Sequence, residues 1–184
     1  MKTQALLTAA ALTLAAPALA QSPKAAKPQE AKAQEMKTGD TAKATLQDAK
    51  GQPVGDVTIE QTPHGVLIRG TFSNLPAGVH AIHIHETGKC EAPEFKTAGG
   101  HFNPHKKAHG MLNPQGKHEG DLTNLTVGQD GKVQFEFFAN QGLTVKSLQD
   151  TDGASVVVHA KADDYMTDPA GDAGGRIACG VVSK

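Results

Sequence analysis

Seven of the nine histidines lie between Val79 and Asp121, together with one of the two cysteines and, three residues after the last of these histidines, a carboxylate. The stretch reads VHAIHIHETGKC, then GGHFNPHKKAHG, then KHEGDL. If Ala81–Glu86 forms a strand, its side chains alternate between two faces. His83 and His85 then point one way, while His80, Ile82 and Ile84 point the other. Two imidazoles about 6–7 Å apart along one strand face can bind one metal ion. His101 follows a Gly-rich loop, His109, His118 and Asp121 come after it, and His159 stands far along the chain. That is more imidazole than one metal requires, so two metals is the economical reading. His83, His85, His101 and His159 offer four nitrogens, a set that suits copper, zinc, iron or nickel and, where planar, favours Cu(II). His101, His109, His118 and Asp121 offer three nitrogens and one oxygen, the closed tetrahedral set of structural zinc. His101 belongs to both sets because a deprotonated imidazole can bind one metal through each ring nitrogen. Spacing alone leaves that sharing a hypothesis. The other histidines read more simply: His64 as solvated in a turn, His80 as a structural histidine of the wrong strand parity, and His105 as a surface residue.

The elements that must position these side chains are short and β-rich. From Thr41 onward the pattern predicts strands over Ala44–Leu46, Val54–Gln61, Val66–Phe72, His80–His85, Leu122–Val127, Val133–Phe138, Ala154–His159 and Arg176–Val182. A further short strand is placed at Leu143–Leu148, and turns fall at Asp48–Gln52, Thr62–Gly65 and Gly128–Gly131. Two long loops interrupt the strands. Glu86–Gly120 holds six glycines and three prolines without sustained periodicity, and Lys161–Gly175 carries four aspartates. A loop of about 35 residues counts against a compact domain unless it is functional; metals and a disulfide can order this one in place of a core. About eight strands, two long functional loops and no convincing helix predict an all-β fold, an eight-stranded antiparallel Greek-key β-sandwich or flattened barrel of Ig-like type.

The remaining sequence bounds where such a domain works. Residues 1–20 read as a secretory signal: Lys2 supplies the charge, Ala5–Ala16 the apolar run and Ala18-Leu19-Ala20 the cleavage site. The apolar run is too short to span a bilayer. Residues 21–40, rich in Ala, Lys, Gln, Pro and Glu, are expected to be a flexible tail, leaving 41–184 as the folded domain. Loss of Lys2 with the signal takes the formal net charge from −1 to −2, which provides no footprint for nucleic acid or an anionic membrane. Cys90 and Cys179 lie 179 − 90 = 89 residues apart, and in an oxidising compartment one disulfide is the natural inference.

These motifs, AIHIHE, GGHFNP, the eight- and nine-residue steps from His101 to His109 and from His109 to His118, HEGD, VVVHAKADD and GGRIACGVV, together resemble those of the copper/zinc superoxide dismutases, in the family's order and across essentially all of residues 41–184. The resemblance implies one copper per chain on His83, His85, His101 and His159. It implies one zinc on His101, His109, His118 and Asp121, with His101 as the bridging imidazolate. It also implies that Cys90 pairs with Cys179 and that Arg176 positions the superoxide anion. Asp163 corresponds to the carboxylate that hydrogen-bonds ligands of both metals, His83 and His109 here. The implied reaction is a two-step cycle in which one superoxide is oxidised to O₂ and a second reduced to hydrogen peroxide, His101 serving as bridge and proton carrier. The short, acidic 161–176 loop and the exported leader resemble the bacterial periplasmic branch, whose members occur as monomers and as homodimers. The loop contains no lysine between Lys161 and Arg176, which makes Lys106, Lys107 and Lys161 the candidates for steering the anionic substrate. A non-enzymatic metal buffer or copper-delivery domain is the main rival class. A copper-only dismutase would lack the zinc ligands, and a purely structural sandwich leaves the histidines unexplained.

Overall fold

The computed structural model describes residues 39–184 except Gln141; the segment expected to be a signal and nearly all of the expected tail lie outside the described residues. Nine strands form: β1 Thr41–Asp48, β2 Pro53–Thr62, β3 Gly65–Phe72, β4 Gly78–His80, β5 Ile82–His85, β6 Leu125–Val127, β7 Val133–Asn140, β8 Ser155–His159 and β9 Arg176–Val181. Seven pair into one antiparallel sheet in the order β5-β8-β9-β1-β2-β3-β7, and β4 pairs with β6. All pairings are antiparallel, and the only helical turns among the described residues are single 3₁₀ turns at Lys96–Ala98 and Ser147–Gln149.

Period-two alternation explains the sheet. In β1, Ala42, Ala44 and Leu46 are buried while Thr41, Lys43 and Thr45 are exposed. These join Val57, Ile59, Val66, Ile68, Ile82, Ile84, Val156 and Val158 in one core. Gly70 lies opposite Phe135 in the β3–β7 pair, and the Phe135 ring occupies the space a side chain there would need.

The structure corrects two of the predicted strands. His80–His85 is not continuous: it divides at Ala81, whose N–H donates to the Lys161 carbonyl and whose carbonyl accepts from His159 N–H. The first piece therefore belongs to the β4–β6 ribbon and the second to the main sheet. Leu143–Leu148 is not a strand. Thr144 and Ser147 satisfy one another's backbone and hydroxyl groups, local bonding that competes with a ladder, while Leu143, Val145 and Leu148 still reach the core.

Both faces of β5 are buried. Ile82 and Ile84 face the main core; His83 and His85 face outward, beneath the loops. The 35-residue connection is held along the free edge of β5. Phe102 N–H donates to the Ile84 carbonyl, Ile84 N–H to the Gly120 carbonyl, and Gly120 N–H to the Phe102 carbonyl. A Cβ at Gly120 would collide with the Ile84 carbonyl, so this close approach depends on glycine. The disulfide Cys90–Cys179, with Cα atoms 5.6 Å apart, pins the start of the loop to β9. Phe95, Ala98, Val157 and Cys179 form a small second core beneath it.

Candidate metal centre

Three elements deliver the imidazoles. Strand β5 presents His83 and His85 on its outer face with ring centroids 6.5 Å apart, matching the strand repeat. The returning loop brings His101 opposite His85 and Asp121 opposite His83. At the end of β8 the register shifts between Val158 and His159, an irregularity of the kind that re-aims a side chain beside a functional site.

His83 Nδ1, His85 Nε2, His101 Nε2 and His159 Nε2 are buried and have no hydrogen-bond partner. Each of these four rings offers a ligand nitrogen within 4.8 Å of the others', and four unpaired buried imidazole nitrogens would be costly in an apolar or empty site. They make sense as donors to a common cation. The opposite nitrogen of each ring is occupied wherever it faces away from the cluster. His83 Nε2–H donates to Asp163 Oδ2 (2.7 Å), His85 Nδ1–H to the Gly99 carbonyl (3.0 Å) and His159 Nδ1–H to the Gly174 carbonyl (3.3 Å). Such outer hydrogen bonds fix tautomer and ring orientation. Burial lowers the pKa of His83 to about 4 despite the opposing pull of Asp163, and burial with the neighbouring imidazoles lowers His159 to about 3. His85 is pushed well below its ordinary value by the same burial. These rings are therefore neutral at pH 7, the form that binds metal.

The second set converges on one oxygen. Asp121 Oδ1 lies 2.9 Å from His101 Nδ1, 3.0 Å from His109 Nδ1 and 3.3 Å from His118 Nδ1; His118 Nδ1 is also 3.3 Å from His101 Nδ1. Ligand atoms about 2.0–2.2 Å from a tetrahedral zinc are separated by about 3.3–3.6 Å; the His118 contacts already have that spacing, and the Asp121 contacts to His101 and His109 are a few tenths of an ångström tighter. His83 also comes within 4.8 Å of His101, His109 and Asp121. Its Nε2, however, is taken by Asp163 and its Nδ1 faces the first set, which leaves His118 as the better fourth donor. His118 Nε2–H donates to the Lys107 carbonyl (3.1 Å) and His109 Nε2–H to Asp163 Oδ1 (2.9 Å). Although burial opposes it, the hydrogen bonds to Asp121 and Asp163 raise His109 to about 9, so without metal it is an imidazolium between two carboxylates. Both carboxyls are correspondingly held below the usual range despite their burial. His101 alone turns one nitrogen to each set.

A clear pH dependence follows for the metal-free protein. His83 and His159 have folded pKa values of about 4 and 3, against about 6.5 unfolded. Between pH 6.5 and 4 the unfolded chain takes up protons that the folded chain refuses, so stability falls as pH falls. His109, raised to about 9, acts in the opposite sense; its stabilisation is nearly complete at pH 7 and fully present below the unfolded value, so it offsets only a small part of that loss. Each of the two rings loses about 1.4 kcal/mol per pH unit below 6.5, so thermal melts of metal-free protein at pH 7 and pH 4.5 should show a loss of about 3–5 kcal/mol; equal stability would remove this burial effect.

Arg176 stands in the same cleft as His85, His101 and His159, with Lys106 and Lys107 on the rim. Its two terminal guanidinium nitrogens, Nη1 and Nη2, donate to the Phe95 and Gly99 carbonyls, each at 2.6 Å. Gly99 thereby connects His85 to Arg176 through a loop held by the disulfide. Lys161 pairs with Asp172 (3.7 Å) and does not line this cleft. Both ring nitrogens of His80 meet backbone carbonyls, of His159 and Pro76, and exposed His105 lies 3.8 Å from Glu119.

Several residues of this site left no signal in the sequence. Asn124 clasps Asp163, its Oδ1 accepting the Asp163 N–H and its Nδ2 donating to the Asp163 carbonyl. Tyr165 Oη accepts the Asn124 N–H. The Gly99 and Lys107 carbonyls could not be anticipated at all, since any residue supplies a carbonyl.

Residues 53–182 match the family model for copper/zinc superoxide dismutase. The chain belongs to the copper/zinc superoxide dismutase family. It is 48% identical over 145 residues to a copper–zinc superoxide dismutase of Aquifex aeolicus, the match covering 76% of this chain and 85% of the relative. Among solved structures it resembles a superoxide dismutase-like protein from Bacillus subtilis (TM-score 0.71, 39% identity, 76% of this chain and 96% of the other). It also resembles the copper/zinc superoxide dismutase of Brucella abortus (TM-score 0.66, 29% identity, 78% and 100%). The β-barrel expected of the dismutase family is the fold observed.

Proposed function

We propose that this protein dismutates superoxide to O₂ and hydrogen peroxide, with copper on His83, His85, His101 and His159 and zinc on His101, His109, His118 and Asp121. The observation that carries the reading is the set of four buried, unpartnered imidazole nitrogens beside a second cluster of three nitrogens and one oxygen, joined by His101. Copper supplies the one-electron redox chemistry when bound. The chain supplies the rest. Arg176, its guanidinium fixed by two carbonyls, offers a cationic contact for an anion entering the cleft, and Lys106 and Lys107 add positive charge at the rim. His101 Nε2 is the ring atom placed to take up and return a proton when it is not bound to metal. Asp163 holds the rings of His83 and His109 in one orientation, and zinc, which has no redox chemistry, holds the long loop.

The leader at residues 1–20 supports export to the periplasm with cleavage after Ala20, followed by the tail 21–40 and the dismutase domain 41–184. The state in solution, monomer or homodimer, is read by sedimentation. The deciding experiment measures metal content and superoxide turnover on one purified sample. One copper and one zinc per chain with cyanide-sensitive activity supports the reading. Full occupancy without turnover favours metal storage or delivery, and zinc alone after copper is offered overturns the His83–His85–His159 assignment. In the same assay Arg176→Ala should lower kcat/KM by about 10-fold, at the low end of electrostatic steering, with both metals retained; unaltered turnover would mean that the arginine does not guide substrate.

A further inference from the structure

Asp163 lies in the loop after β8, so the orientation of His83 and His109 depends on that loop staying closed over the rings. Its first half is tied down several times. Asn124 clasps Asp163, Leu112 N–H donates to the Tyr165 carbonyl, and Asn113 Nδ2 donates to the Met166 carbonyl. The second half is bonded mainly to its own loop: Asp164 N–H donates to the Gly171 carbonyl and Gly171 N–H to the Thr167 carbonyl. Among the described residues, the hydrogen bond that carries residues 167–172 across to the segment 101–121 is made by Asp168. Its Oδ1 accepts the backbone N–H of His109 and lies 3.9 Å from His118 Nε2.

The position is electrostatically unfavourable for the reaction. The Asp168 side chain is 56% exposed and lines the cleft with Lys106, Lys107 and Arg176, where a negative charge repels an anionic substrate. An acceptor oxygen is useful at this place; a charge is not.

We propose that Asp168 is a positioning residue that clasps the acidic loop onto the backbone of His109, and so steadies the zinc set without touching zinc or substrate. This rests on the dismutase reading where zinc and superoxide turnover are concerned; the clasp itself does not. The acceptor and the charge are separable, because Asp168→Asn keeps Oδ1 and removes the charge, whereas Asp168→Ala removes both.

Two measurements test it. Amide hydrogen exchange at His109 in metal-free protein reads the clasp directly, and zinc release to a chelator from the metal-loaded protein reads its consequence. For Asp168→Ala, exchange at the His109 amide should quicken, and zinc release should rise by about 10-fold, as for other outer partners of metal ligands. Asp168→Asn should stay within about twofold of the natural protein in both, while kcat/KM for superoxide at low ionic strength rises, the gain vanishing at high salt. Unchanged exchange and release in Asp168→Ala would overturn the clasp, as would an Asn variant as impaired as the Ala variant. A natural protein that binds no zinc would instead sink the dismutase reading, and amide exchange would still decide the clasp.

Discussion

Asp121→Ala should cost the protein its zinc while leaving part of its copper. Asp121 Oδ1 is the point on which His101, His109 and His118 converge, and Asp121 Oδ2 accepts the backbone N–H groups of Gly110 and His118, each at 3.0 Å. Removing the side chain deletes the only anion of the set and strands two buried donors, at about 1–3 kcal/mol for each donor left unpaired. Because Asp121 is proposed as a ligand, zinc affinity should fall by about 100-fold or more, at or beyond the upper end seen for outer partners. Competition with a chromophoric chelator measures it. The copper set loses none of its four nitrogens, so copper should remain, more weakly ordered through His101. Unchanged zinc content would remove Asp121 from the ligand set.

Gly171→Ala is the second large effect, and it lies at a residue that carries no chemistry. Gly171 has φ +65°, and a Cβ there would collide with Asp163 Oδ1 and come within 2.8 Å of His109 Nε2. The left-handed backbone alone costs a non-glycine residue about 1–2 kcal/mol. The collision adds displacement of the carboxylate that orients a ring from each set. Both metals should therefore weaken together, by about 10–100-fold, and the melting temperature of the metal-loaded protein should drop. Loss of one metal with the other untouched would show that Asp163 does not couple the two sets; unaltered occupancy of both would show that the loop moves aside at little cost.

Much of this was legible in the chain itself. Alternation in segments such as Thr41–Asp48 dictates which face is buried, because the strand period is two. The H-x-H step similarly puts His83 and His85 on one face, and two cysteines behind a sequence that reads as a secretory leader call for one another. The choice of ligand types also came from residues alone, since imidazole and carboxylate have few other reasons to gather within one stretch. Tertiary structure decided what depends on chain return and on backbone atoms. His80–His85 divides because Ala81 bonds to the far ends of β8 and its loop, a pairing across about 80 residues that no local pattern encodes. Leu143–Leu148 has the apolar content of a strand but closes on its own Thr and Ser hydroxyls. The tautomers of His85 and His118 are set by the carbonyls of Gly99 and Lys107, and Arg176 is aimed by those of Phe95 and Gly99. Every residue carries that group, so only the folded chain selects which carbonyl is near. What the sequence determined by itself was the inventory of chemistry; which nitrogen of each ring is left free for a metal was decided by the fold.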